Sequence, residues 1–526
     1  MEKRLVIAIA LSIFIILAFQ FLVAKPRLSQ QMPVVDEASS TLPPKASEMT
    51  PPPESKQSFE EREIEVETDR YIIIFSNVGG SIKDIRLKEY KNLSSGEGLE
   101  LVQIMNPHDY IFAISNPLGR DGLDMAEYSV SRTDGVIVYK TKVGSLDIEK
   151  RYILHNSKHA IELQLSIKNS SSAPIPLSYR IIGGSSLTEE KEQDKRMIEA
   201  TAKVNDKIAN FKRPRPDERI MKPGSAVWAS LHNKYFSLIL KPFIQTKAYF
   251  YSYNKEGLLV TGVESEEVTI QPGRTIDNKF LLYAGPSNIP VLKELGYGLE
   301  ETINYGFFGG ISKVLIAIMR VCYGVVRNWG FSIILLAIIL NIILFPLSMK
   351  SFKSMQKMQE LQPQMEKLKV QYKSNPQKLN QEIMELYKKY GINPLSGCLP
   401  LLLQMPIFFA LYQALMKSIE LRNASFLWVR DLSSPEAIPI PITLPIIGNS
   451  INILPLVMVA AMVLQQKLST KSAATEEQKQ QQKMMLIIMP IMFGFLFYNM
   501  PSGLVLYWLV STVLTVAEQA LVLKSV

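Results

Sequence analysis

The sequence predicts a multi-spanning α-helical membrane protein that carries an antiparallel β-sandwich domain outside the bilayer. Two hydrophobic periods and one charge asymmetry predict it. Residues 330–523 contain long apolar runs with few charges, whereas short runs between residues 60 and 290 alternate with a period of two. Basic residues gather in alternate loops between the apolar runs. The average hides this division: 47% of the 526 residues are hydrophobic and mean hydropathy is +0.08, values that by themselves fit neither class.

The first apolar run, Leu5–Ala24, follows Lys3 and Arg4. Its length suits a full bilayer crossing, and its end, Leu22-Val-Ala-Lys-Pro26, matches a signal-peptide cleavage site poorly. Residues 1–24 are therefore expected to form an uncleaved anchor whose positive start stays in the cytoplasm. Residues 25–58 hold seven prolines among polar residues and read as an extended tether.

From residue 59 to 286 short alternating runs predict the external sandwich. Ile161-Glu-Leu-Gln-Leu-Ser-Ile167 is the clearest, and Ile64–Thr68, Tyr71–Phe75, Gly135–Tyr139, Tyr235–Leu240 and Lys247–Tyr253 are similar. Strands without alternating helices argue for antiparallel packing. Residues 187–218, charged and polar, read as a loop with some helix. Residues 287–327 read as an amphipathic, interfacial region, with Ile289, Leu292, Leu295, Leu299 and Ile303 on one helical face.

Residues 328–526 contain five apolar stretches: Phe331–Leu347, Cys398–Met416, Leu444–Leu464, Met484–Tyr498 and Leu504–Leu523. With the anchor they make six spans and place both termini in the cytoplasm. Loop charge agrees. Residues 348–397 hold nine Lys and four Glu, residues 465–483 four Lys and two Glu, and residues 419–440 two Arg and three acids. The first two loops are predicted to be cytoplasmic and the third external. The sandwich, between the first and second spans, is then external.

The loop at 350–391 predicts a cytoplasmic helical hairpin. Phe352, Met355, Met358, Leu361, Met365 and Leu368 recur at helical spacing, as do Leu379, Ile383, Leu386, Tyr387 and Tyr390. Asn375 is a good cap with Pro376 at the first helical position, and Gly391 suits the end. Two readings stay open. The apolar faces pack on each other, or Met355, Met358, Leu361, Met365, Leu379 and Ile383 form an adaptable face that receives apolar clients.

Neither enzyme nor metal chemistry is legible. The four histidines are His108, His155, His159 and His232, and there is no H-E-x-x-H, P-loop or G-x-G-x-x-G motif. No catalytic, cofactor or metal residue is expected, and charge is not clustered as in a DNA binder. Only Cys322 and Cys398 occur, too few for a disulfide framework. No pair of intramembrane carboxylates suggests proton coupling, which weakens a small-solute transporter. Polar residues nevertheless enter the apolar runs, among them Ser332, Asn341, Gln404, Asn452, Ser511, Thr512, Thr515 and Gln519. They bond neighbouring helices, or they line a wet groove that lowers the cost of moving a client's polar backbone through hydrocarbon.

These residues resemble the YidC membrane protein insertase family. The resemblance lies in Asn328-Trp-Gly-Phe-Ser332, Phe345-Pro-Leu347, Met358-Gln-Glu-Leu-Gln-Pro363 and Asn393-Pro-Leu-Ser-Gly-Cys-Leu-Pro-Leu-Leu-Leu-Gln-Met-Pro-Ile-Phe408. Leu421-Arg422, Phe426-Leu-Trp428, Asp431-Leu432 and Met500-Pro-Ser-Gly-Leu-Val-Leu-Tyr-Trp508 continue it. Anchor, tether and sandwich add the long Gram-negative form. The resemblance implies a five-helix insertase core with a hydrophilic groove and a client-receiving hairpin. It implies partners too: nascent membrane proteins, Sec translocon subunits, the ribosome, signal-recognition machinery and lipids. Ser332, Asn341, Gln404, Ser511, Tyr507 and Trp508 are then the groove candidates. Most members carry an arginine in the first core helix where ungapped counting puts Asn341, and Arg327 lies about 21 Å away along a helix. A structural assembly factor for already inserted proteins is the main alternative.

Overall fold

The computed structural model describes residues 60–524, apart from 92–96, 117–121, 134, 189–196, 212–217, 245–246, 256–257, 394–398, 445–447 and 470–475. The expected anchor, the tether and Cys398 lie outside the described residues. The chain divides into two compact units, one largely of sheet and the other holding the helices from Ile289 onward.

The helical unit begins with α1, Ile289–Leu295. The single helix that the spacing predicts over 289–304 does not form, because Gly296, Tyr297 and Gly298 all take positive φ and turn the chain. Helix α2, Gly309–Val326, ends on Arg327 in the left-handed region and so remains separate from α3, Trp329–Glu360. Asn328 starts α3 by accepting a hydrogen bond from Phe331 N at 3.1 Å. Then come α4, Gln362–Gln371, α5, Pro376–Lys389, α6, Leu399–Lys417, α7, Ile453–Ser469, α8, Glu476–Tyr498, and α9, Ser502–Lys524.

Among the described residues three helices are long and apolar enough to cross a membrane: Gly309–Val326, Trp329–Glu360 and Ser502–Leu521. Ile453–Lys467 and Leu486–Tyr498 are shorter apolar helices. The stretch expected to span from Leu444 begins its helix only at Ile453. Before it, Ile438–Leu444 pairs antiparallel with Gly448–Ile451. Pro439 and Pro441 lack the N–H that a helix needs, and an edge strand tolerates them.

One apolar core joins these helices. Leu315 and Met319 of α2, Leu336 and Leu340 of α3, Leu411 of α6, Met458 of α7, Phe497 of α8 and Leu504 of α9 are all buried in it. Close approach depends on Gly330, where an added Cβ would sit 2.1 Å from the Phe426 ring.

The hairpin arm departs from the expected boundaries in one respect. Helix α3 continues unbroken through Met355 and Met358 to Glu360, and the chain turns at Leu361, with Pro363 in the first turn of α4. The cap is as the sequence predicts, since Asn375 Oδ1 accepts from Lys378 N at 3.1 Å. Gly391, at φ 63°, ends α5, and Ile392 N donates to Tyr387 O at 2.9 Å.

Nine strands lie in the spatial order Lys207–Phe211, Glu199–Val204, Ala226–His232, Phe236–Phe243, Thr275–Pro286, Ala160–Asn169, Leu146–Leu154, Val136–Val143 and Ser129–Thr133. A five-stranded sheet contains Arg180–Gly184 beside Leu258–Ser265, and a four-stranded sheet opens the chain at Glu63–Glu67. The two larger sheets meet where a Cβ on Gly183 would lie 2.3 Å from Leu240 and one on Gly184 2.7 Å from Leu231. Residues 187–218 contain an antiparallel pair, Glu199–Val204 with Lys207–Phe211, in place of the expected loop with some helix. Ala200, Thr201, Ala202 and Val204 are buried there, a short run outweighed in the sequence by the surrounding charge.

A lysine lies at the centre of the sheet unit. Lys150 is fully buried, and its Nζ donates to Gly79 O at 2.6 Å and Phe112 O at 2.7 Å. The ring of Tyr128 lies 5.4 Å from it. Burial lowers its pKa to about 7, partly opposed by Asp124. Between that value and the ordinary lysine range the unfolded chain binds the proton more tightly. Stability must therefore rise with pH above about 7, by at most about 1.4 kcal/mol per pH unit. Denaturation of the purified protein, followed by β-sheet circular dichroism from pH 7 to 9, is expected to show this rise. Lys150→Met removes the titrating group and is expected to flatten it. An equal slope in both proteins would assign the effect to other groups.

Candidate functional site

The chain carries no Asp, Glu, Lys, Arg or His in 329–349, 399–416, 453–466 or 484–517. Hydrocarbon offers no partner to a polar side chain, so each one there must bond within the bundle or meet water. The predicted groove residues divide on this criterion. Ser332 is buried and donates back to Asn328 O at 2.7 Å, inside its own helix. Thr512 and Thr515 likewise donate to the carbonyls of Trp508 and Ser511, each at 2.8 Å.

Four other residues form a band across three helices. Asn341 Nδ2 of α3 donates to Ala337 O at 2.8 Å and to Ser511 Oγ of α9 at 3.3 Å. Gln404 Nε2 of α6 donates to Tyr507 OH of α9 at 2.8 Å. Tyr507 and Ser511 are one turn apart and therefore share a face of α9. Asn341, Gln404 and Ser511 are half-buried, whereas Tyr507 is 1% exposed. The band is polar and uncharged, and it retains unused hydrogen-bonding capacity because each amide offers two donors and an acceptor. Trp508 does not join it. Its ring packs among Phe408, Phe493 and Phe497 at centroid distances of 5.5, 5.6 and 5.1 Å.

Asn452, one of the polar residues predicted to enter the apolar runs, helps close one end of the bundle together with Glu436, Arg320 and Glu420, which the sequence did not single out as site residues. Glu436 Oε2 accepts from Leu454 N at 2.7 Å and its other oxygen accepts from Trp428 Nε1, so it caps α7. Asn452 Nδ2 donates to Tyr498 O at 2.6 Å, while Ser502 N and Gly503 N donate to Ser434 O and Leu432 O. Arg320 of α2 holds Glu420 with Nε at 2.9 Å and Nη2 at 2.6 Å. Asn288 Nδ2 and Ser418 Oγ also donate to that carboxylate, at 3.2 and 2.6 Å. These partners are up to 132 residues apart, a separation that no local period reveals.

In the hairpin, Leu361, Tyr387 and Ile392 are buried together, and Met358, Met365, Ile383 and Leu386 pack on them. Tyr387 OH lies 3.5 Å from Met365 Sδ. Leu379 is buried and Met355 half-buried. Most of the predicted client face is thus turned toward the other arm.

The 60Kd inner membrane protein family model matches residues 321–526 and the YidC periplasmic domain model residues 63–318. Membrane protein insertase YidC of Geotalea uraniireducens (strain Rf4) is 32% identical over 549 residues, covering 100% of this chain and 99% of that protein. The chain belongs to the YidC membrane protein insertase family. Membrane protein insertase YidC of Geobacter metallireducens is 31% identical, with 100% of this chain and 99% of that protein covered. An active YidC insertase crystal structure with its first transmembrane domain resolved covers 87% of this chain and 92% of its own, at 19% identity and a TM-score of 0.38. The assignment rests on the sequence relatives. With the apolar helices, YidC family membership makes this a multi-pass inner-membrane protein with a periplasmic domain.

The Gln404–Tyr507 contact is testable as a coupled pair. Gln404→Leu, Tyr507→Phe and the double variant are expected to show a coupling of about 0.6–1 kcal/mol in thermal stability of the detergent-purified protein. Strict additivity of the single effects would mean that the bond contributes nothing.

Proposed function

We propose that this protein receives apolar client segments from the cytoplasm and passes them through a hydrophilic groove into the bilayer, assisting their folding. The observation that carries this reading is the uncharged band of Asn341, Ser511, Tyr507 and Gln404 within otherwise apolar helices. A backbone amide crossing hydrocarbon unpaired costs several kcal/mol. Side chains that exchange hydrogen bonds with it lower that cost without covalent chemistry, nucleotide or metal.

In this reading α3 and α6 to α9 are the five-helix insertase core, and the paired sheets are a periplasmic β-sandwich. The arrangement is that of the long Gram-negative form, with both termini cytoplasmic. Ser332 and Trp508 support the groove wall through packing. Nascent membrane proteins are the clients. Sec translocon subunits, the ribosome, signal-recognition machinery and membrane lipids are the partners that such work requires, and DNA is not among them. The net charge of 348–397, nine Lys against four Glu, favours a cytoplasmic hairpin.

Asn341 is the first test. In purified liposomes Asn341→Leu is expected to slow insertion of a small two-span client severalfold, while Asn341→Arg retains activity and favours a client with an acidic translocated tail. Unchanged insertion by the Leu variant would leave Asn341 as a helix-packing residue. A structural assembly factor would crosslink to inserted clients without speeding their passage into liposomes.

The hairpin is the second. Its half-buried methionines adapt in shape, so Met355, Met358 and Met365 are proposed to contact clients when the arms part. Substituting all three by Leu keeps apolar volume and is expected to preserve client crosslinking, whereas Ser is expected to reduce it severalfold. Equal crosslinking by both variants, at equal hairpin helicity, would remove these residues from client capture.

A further inference from the structure

Glu518 stands apart from every other charge in the last helix. Helix α9 has no ionisable group other than tyrosine from Ser502 to Ala517, and Glu518 then appears half-buried. It lies seven residues beyond Ser511 and eleven beyond Tyr507. At 100° per residue both separations return to within about 20° of the same direction, so all three share one face of the helix. The rise places Glu518 about 10 Å beyond Ser511 along the axis. Among the described residues no hydrogen bond or ion pair engages its carboxylate. A half-buried carboxylate without a cation is costly, and bringing a cation to it recovers part of that cost.

We infer that Glu518 is a cation-binding position at the cytoplasmic mouth of the groove, taking the Lys or Arg that flanks a client's apolar segment. The inference rests on the proposed insertase reading, in which α9 ends on the cytoplasmic side. Membrane proteins carry an excess of Lys and Arg on their cytoplasmic flanks. An apolar segment of about 20 residues spans about 30 Å as a straight helix, so a client that enters folded back on itself is the one that places its uncharged end at Asn341, Ser511, Tyr507 and Gln404 and its basic flank at the depth of Glu518 together. The groove then recognises two chemistries in a set order. A neutral polar band accepts the translocated end, and a single carboxylate holds the basic end that stays behind. This gives client orientation a determinant inside the protein, separate from the surface charge of the lipid.

The test uses the full chain in zwitterionic phosphatidylcholine vesicles, which removes lipid charge as a competing attraction. Three clients share one apolar segment and one neutral translocated tail, and differ only in a cytoplasmic flank of two Lys, two Gln or two Glu. The unmodified protein is expected to insert the Lys client about fivefold faster than the Gln client. Glu518→Gln, which keeps side-chain shape, is expected to bring that ratio close to one. Glu518→Lys is expected to reverse the preference in favour of the Glu client. A Lys-to-Gln ratio that stays the same in E518Q, or a Glu518→Lys protein that still prefers the Lys client, overturns the inference while leaving insertion itself intact. If the unmodified protein inserts no client above empty vesicles, the insertase reading falls and this inference falls with it.

Discussion

Hydrocarbon does not hydrogen-bond, and much of this helical unit follows from that one constraint. Over long stretches the core helices contain no ionisable group other than tyrosine, and their polar side chains have specific partners. Ser332, Thr512 and Thr515 satisfy themselves on carbonyls one turn back. Asn341, Ser511, Tyr507 and Gln404 instead bond across helices. The first arrangement makes a polar residue inert in lipid. The second gathers spare donors and acceptors at one depth, where a passing chain can use them. An uncharged band also avoids the larger desolvation cost that a buried ion carries.

The two ends of the bundle are treated differently. Where α6 ends and α7 and α9 begin, helix termini are capped by Glu436, Asn452 and the carbonyls of Leu432 and Ser434. Arg320 and Glu420 bind α2 to the chain just beyond α6. The caps satisfy backbone groups that helix ends would otherwise leave open, and the ion pair adds a side-chain link, so this end is tightly tied. At the opposite end α3 runs on into the hairpin, whose contact with itself is made by a few Leu, Ile, Met and Tyr side chains. Such a small apolar contact yields more easily than a capped and ion-paired end.

The sheet unit meets the same demand for satisfied polar groups by a different route. Lys150 is buried among aromatic rings, yet its ammonium has backbone carbonyls on Gly79 and Phe112 as acceptors. Tyr152 OH donates to Gly80 O at 2.6 Å beside it. Those carbonyls belong to segments with positive φ at Gly79, Gly80 and Phe112, where regular ladder bonding fails. The lysine thus supplies donors that the sheet does not.

Hydropathy by itself determined the membrane class, because apolar length is read directly against bilayer thickness. Alternation marked several of the strands, and Asn375, Pro376 and Gly391 marked helix ends, because each of these signals acts over a few residues. Where two local signals competed the reading went wrong. Leu444 and Gly448–Ile451 were taken into a span, but they belong to an antiparallel strand pair with Ile438–Leu444, whose Pro439 and Pro441 do not suit a helix. The glycines around Tyr297 divided a helix whose apolar spacing was intact. The groove candidates were legible as polar residues in apolar runs, yet the sequence could not say which faced a neighbour and which bonded its own helix. That depended on helix rotation and depth, set by contacts such as Gly330 against the Phe426 ring. Asn341 meets Ser511 across 170 residues and Gln404 meets Tyr507 across 103, and only tertiary packing brings such distant positions to one level.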